Sequence, residues 1–117
     1  MAGAARAPEH WCAEAGLRDV ARLEIPADAL RERTFEIYCR LVTAAYAGRA
    51  DATQRLRVLV NGALQWDRTG RSSPDGPDSL DLRLRRTVPL GQPLRLAATC
   101  EVRGAARVSL DIVADED

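Results

Sequence analysis

The sequence predicts an all-β fold: an antiparallel β-sandwich, jelly-roll or immunoglobulin-like, of roughly seven strands, with an irregular or short helical N-terminal arm. Three observations carry this reading. From Arg22 onward, apolar and polar residues alternate with period two in run after run, the signature of strands with one buried face. Clusters of turn-forming residues separate the runs at short intervals. No stretch between them has the period of a crossover helix, which parallel strands need, so antiparallel pairing in two packed sheets is the natural solution. A closed barrel uses the same alternation and is the alternative.

Each element can be justified in order. Residues 1–20 show no firm period; Glu9 to Val20 is either a short helix or irregular, and this segment is read as an arm preceding a single sandwich domain, residues 21–117. Leu23 and Ile25 alternate with Arg22 and Glu24 until Pro26, after which Ala27 to Arg33 has room for one helical turn. Phe35, Ile37, Cys39 and Leu41 form the apolar face of a half-buried strand, and Gly48 to Thr53 reads as a loop. A hairpin follows, from Gln54 to Asp67, and then the turn-rich segment TGRSSPDGPDS, residues 69–79. Three more alternating runs close the chain. They are built on Leu80, Leu82 and Leu84, on Leu94 to Val102, and on Val108, Leu110 and Ile112, separated by Pro89–Pro93 and by Gly104-Ala105. The acidic tail ADED is expected to fray.

The hairpin poses the main functional question. Asn61-Gly62 is the strongest short hairpin signal, because both positions tolerate positive φ. With a plain two-residue loop, Arg57 pairs with Trp66 and Val58 with Gln65, and paired residues share a face. Leu59, Leu64, Trp66 and Arg57 then gather on the outer face, the composition of an interface. A bulge or an odd-length loop reverses the parity and turns Trp66 into the core. A third possibility is that the N-terminal arm covers the patch with Trp11 and Leu17. These alternatives stay open at the level of sequence.

Composition limits the chemistry. The 117-residue chain has room for one domain with a core that needs no staple. Its formal net charge is zero, so nucleic acid is not an expected partner. All 17 basic residues are Arg, which reads as codon bias more than as selection for bidentate contacts. Arg83, Arg85, Arg95, Arg103 and Arg107 are interleaved with acidic residues and lack the aromatic platforms of an RNA surface. The N-terminus has no long apolar leader, and no segment approaches the ~18 apolar residues of a membrane span. Cys12, Cys39 and Cys100, odd in number and without paired spacing, suit reduced thiols, and the expected compartment is the cytoplasm. The single histidine, His10, lies in the arm, where triad catalysis would have to use it; beside Cys12 it lacks a second ligand pair at zinc spacing. Asp75, Asp78 and Asp81 do not match a calcium loop and read as turn formers. No enzyme activity, metal or cofactor is expected.

The runs RLRVLVNGALQWD and SLDLRLRRTVPLGQPLRLAATCEV, within residues 55–102, resemble the strand–Asn-Gly–strand and Pro-x-Gly-x-x-Leu-x-Leu pattern of galactose-binding-like jelly-roll β-sandwiches. The resemblance implies a sandwich with a non-catalytic binding role toward carbohydrate or protein, and it assigns no ligand residue. The functional expectation is a non-catalytic protein–protein interaction domain acting through a sheet face or an edge strand, toward another protein or toward itself as a homo-oligomer. Its candidate binding residues are Trp66, Leu64, Leu59 and Arg57. The alternative is a carbohydrate-binding module, with Trp66, Tyr38 or Tyr46 as the stacking platform for a glycan.

Overall fold

Eight strands, all antiparallel, make two four-stranded sheets in a computed structural model that describes residues 7–117. The strands are β1 (His10–Glu14), β2 (Val20–Ile25), β3 (Arg33–Ala45), β4 (Thr53–Val60), β5 (Ala63–Arg71), β6 (Pro77–Val88), β7 (Leu94–Arg103) and β8 (Ala105–Glu116). One sheet has the order β1-β8-β3-β6 and the other β2-β7-β4-β5. The first half of the chain pairs with the second half in reverse: β1 with β8, β2 with β7, β3 with β6 and β4 with β5. It is a long nested hairpin folded over on itself, and the pairs β3–β8 and β4–β7 complete the sheets.

The core lies between the sheets and uses the apolar alternation seen in the sequence. Phe35, Ile37, Cys39 and Leu41 of β3 face Leu56 and Val58 of β4, with Ile25, Leu96, Leu110 and Ile112 beside them, all buried. Burying these side chains against one another is the main source of stability. Burial pushes the Cys39 thiol up to about 12 and raises that of Cys100 as well, so both are small core hydrophobes. All three cysteines are free, and Cys12 is exposed.

Two expectations are corrected here. The arm is neither helical nor irregular throughout, because His10–Glu14 forms β1 on the edge of β8. Residues 1–6 of the expected arm lie outside the described residues. In a five-residue run, period two and period 3.6 are hard to tell apart; the free edge of β8 decides, and Trp11 and Ala13 turn toward the core. This makes eight strands where about seven were expected. The helical turn after Pro26 is likewise absent, since the described residues contain no helix. The strands are also longer than their alternating runs suggest: β6 reaches back to Pro77 and so takes in part of the turn-rich segment.

One pole of the sandwich is closed by ions. Arg33, only 4% exposed, donates from Nη1 to Glu9 Oε1 at 2.9 Å and from Nη2 to the Pro26 carbonyl at 2.7 Å. Arg31 donates from Nη2 to Glu9 Oε2 at 2.8 Å and to Glu116 Oε1 at 2.9 Å. The Trp11 indole donates to Glu9 at 2.9 Å. Arg31 thus bridges Glu9, just before β1, to Glu116, the last residue of β8, while Arg33 ties Glu9 to the end of β2 through the Pro26 carbonyl.

Candidate interaction surface

The hairpin resolves the question of Trp66. Asn61 and Gly62 both have positive φ, 49° and 83°, as a type I′ turn requires. Val60 faces Ala63 and Leu59 faces Leu64, but Val58 then faces Trp66. The register shift between Val58 and Leu59 leaves Gln65 as an extra residue on β5. The bulge puts Trp66 on the inward face with Val58, where it packs half-buried against the core. The unbulged pairing of Arg57 with Trp66 does not occur. Leu17 is fully exposed and covers nothing.

The four sequence-predicted residues are therefore divided between two faces. Leu59, half-buried, stays outside with Leu64, which is 56% exposed, near the hairpin tip. Arg57 also stays outside, where its Nη2 lies 3.4 Å from Glu101 Oε1. Arg55 binds Asp67 through two hydrogen bonds of 2.9 and 2.7 Å, and that bidentate contact holds the Asp67 carboxyl below the usual carboxylate range. The outer face of this sheet is mostly a ladder of cross-strand ion pairs.

Trp66 instead belongs to the open side of the sandwich, bordered by β5 and β6. Each is the last strand of its sheet and is bonded on one side only. β5 is nine residues long and bulged at Gln65. β6 is twelve residues long, its register against β3 runs unbroken from Val88 to Pro77, and its one proline is its first residue. Inward-facing Leu82 and Leu84 of β6 are half-buried, like Trp66. Gln65 and Arg86 are hydrogen-bonded across the gap between the two edges. Edge strands of this length and regularity present a row of unpaired backbone groups that a second chain can complete.

The outer face of β6 is charged and ordered. Tyr38 donates its hydroxyl to Asp81 Oδ1 at 2.7 Å, Ser79 donates to Asp81 Oδ2 at 2.7 Å, and Arg40 lies 3.4 Å from the same carboxylate. The Arg83 guanidinium stacks over the Tyr38 ring at 5.1 Å. Burial works against ionised Asp81, but the two hydroxyls and the flanking arginines outweigh it, and its pKa is lowered. The bond to Asp81 raises that of Tyr38. These residues adjoin a shallow depression lined by Glu36, Ile37, Tyr38, Arg83, Val113 and Asp115.

Sequence reasoning missed β6 as a surface element because alternation identifies a strand and not its place in a sheet. The Asp75, Asp78, Asp81 group is dispersed: Asp78 accepts from the backbone N–H groups of Ser73 and Ser79, and Asp81 serves Tyr38. His10 pairs with Asp115 across β1 and β8. Among the described residues, no group of three or more His, Cys, Asp or Glu side chains is arranged to hold a metal ion. The described residues form no helix, and so none that is long and apolar enough to cross a membrane.

No family model matches the sequence, and no curated protein matches it. Among solved structures, the fold is similar to part of dimeric latent PorU from Porphyromonas gingivalis, with a TM-score of 0.50 and 18% sequence identity over 89% of this chain. The chain spans 10% of the length of that protein, and at this identity the likeness is one of fold.

Proposed function

We propose that this chain is a non-catalytic interaction module that binds another protein through the open side of the sandwich. One observation carries the reading: β6 is a twelve-residue edge, unbulged against its neighbour, with half-buried Leu82 and Leu84 along its inner side. An added strand there gains backbone hydrogen bonds along the edge and covers apolar surface that the monomer leaves half-open. The nested strand order is that of a jelly roll, two Greek keys in eight strands, and differs from the immunoglobulin order. This supports the jelly-roll arm of the sequence reading and, with the Asn-Gly hairpin, the galactose-binding-like comparison. Three free thiols suit a reducing compartment such as the cytoplasm.

The carbohydrate-binding alternative has a weaker basis. Trp66 faces inward and Arg83 occupies one face of Tyr38, so the aromatic faces a sugar would stack on are largely taken; Tyr46 is exposed but stands apart in the β3–β4 loop. The test places a photo-crosslinking residue at Arg85 on β6 and, separately, at Arg22 on β2, in the cells that make the protein. Protein adducts from position 85 and not from position 22 are expected. Equal yields, or none from 85, overturn the reading.

A further inference from the structure

We infer that the partner of the β6 edge is a second copy of this chain, paired antiparallel about a twofold axis at Leu82. The inference rests on the interaction reading above and adds to it a partner and a register. A twofold axis perpendicular to a sheet requires each residue to face one of the same parity, because residues opposite each other in an antiparallel ladder share a face. The sequence of β6, PDSLDLRLRRTV, can be tested against every such register. With Leu82 opposite the partner copy's own Leu82, each Asp81 stands opposite an Arg83, each Asp78 opposite an Arg86, and each Leu80 opposite a Leu84. No like charges meet.

The other registers are worse. Centring on Asp81 sets Asp81 against itself. Centring on Arg83 gives one Asp–Arg match, Asp81 with Arg85, but sets Arg83 against itself. Centring on Leu84 sets Arg83 against Arg85. The favoured register has one kind of complementary pair on each face, made twice by the twofold axis: Asp81 and Arg83 are outward with Tyr38 and Arg40, while Asp78 and Arg86 are on the inward parity of Leu80 and Leu84. The half-buried Leu82 and Leu84 lie where the partner copy's leucines would cover them. Each charged group already has a neighbour in its own copy, but Arg83 and Asp81 remain exposed enough to take a second. The product is one continuous eight-stranded sheet built from two four-stranded ones.

The test is the mass of the full chain by sedimentation, with charge-reversed variants. The wild-type chain is expected as a dimer. Arg83→Asp and Asp81→Arg should each weaken dimerisation by about tenfold, since two favourable pairs become two like-charge contacts. An equimolar mixture of the two variants should dimerise, as should the double variant Asp81→Arg/Arg83→Asp, because each restores the opposite charges. Circular dichroism on each variant checks that it is folded, and the mixing result stays decisive if Asp81→Arg loses stability with its Tyr38 bond. A dimer unmoved by the reversals overturns the register and leaves the edge reading standing. A monomer at every concentration overturns self-pairing; adducts of position 85 with other proteins would then still uphold the interaction module, and their absence would remove both.

Discussion

The two sides of this sandwich are bordered differently. On one side the edge strands are β1 and β2, five and six residues long. The segment joining them is stitched to both sheets: Ala15 N–H donates to the Leu110 carbonyl, Cys100 N–H to the Asp19 carbonyl, and Arg107 Nη2 to the Gly16 carbonyl. Glu9, just ahead of β1, is clasped by Arg31 and Arg33. On the other side, β5 and β6 are nine and twelve residues long, and the aromatic and aliphatic side chains beneath them are left half-buried. On each side the two edges belong to different sheets and are joined by a five-residue connection, residues 15–19 and 72–76, so the difference is one of length: β5 and β6 run well beyond the reach of theirs, and a longer edge presents a longer row of unpaired backbone groups. The contrast is the basis on which a partner at the β6 edge is proposed above.

The largest effect expected from this contrast is in packing. Ile25, fully buried on the closed side, should cost about 3 kcal/mol when replaced by Ala, through lost burial and a residual cavity. Leu82→Ala on the open side should cost under about 1 kcal/mol, because solvent already reaches it. Urea unfolding of both variants measures the difference; equal losses would mean the two sides are equally closed.

A smaller effect concerns the ionic pole. Arg33→Ala removes two hydrogen bonds donated by a buried guanidinium, one to a carboxylate and one to a carbonyl. It should destabilise by about 2 kcal/mol, as expected for hydrogen bonds to a charged group. Glu9 keeps Arg31 and the Trp11 indole, which limits the loss. A fall in the unfolding midpoint no larger than that of an exposed Arg→Ala variant would show that the pole does not hold the chain ends.

The smallest effect is on pH. The Asp67 and Asp81 carboxyls have pKa values lowered in the folded chain, Asp67 by its Arg55 contact and Asp81 by its hydroxyl and arginine neighbours against burial. Their contribution to stability is fully present above the ordinary carboxyl pKa of about 3.9 and is lost as pH falls through the lowered values. The urea midpoint should decline below about pH 4, and Asp67→Asn/Asp81→Asn should flatten part of that decline. Identical pH profiles for variant and wild type would show that neither pair matters to folding.

The sequence by itself determined the fold class, the apolar faces of β2, β3, β4, β7 and β8, and the Asn61-Gly62 turn. Alternation and positive-φ turn residues are local properties, written within a few positions of where they act. It also narrowed Trp66 to two parities without choosing between them, since a single inserted residue reverses a face and leaves no mark on composition. Only the tertiary structure decided that Gln65 is that residue, that His10–Glu14 pairs with β8, and that β6, not the hairpin tip, is the long free border. Each depends on which strand meets which. In a nested hairpin that is settled by pairings between distant parts of the chain, such as His10 with Asp115 and Arg33 with Val88, whose cost is loop closure and whose return is a core that no local segment encodes.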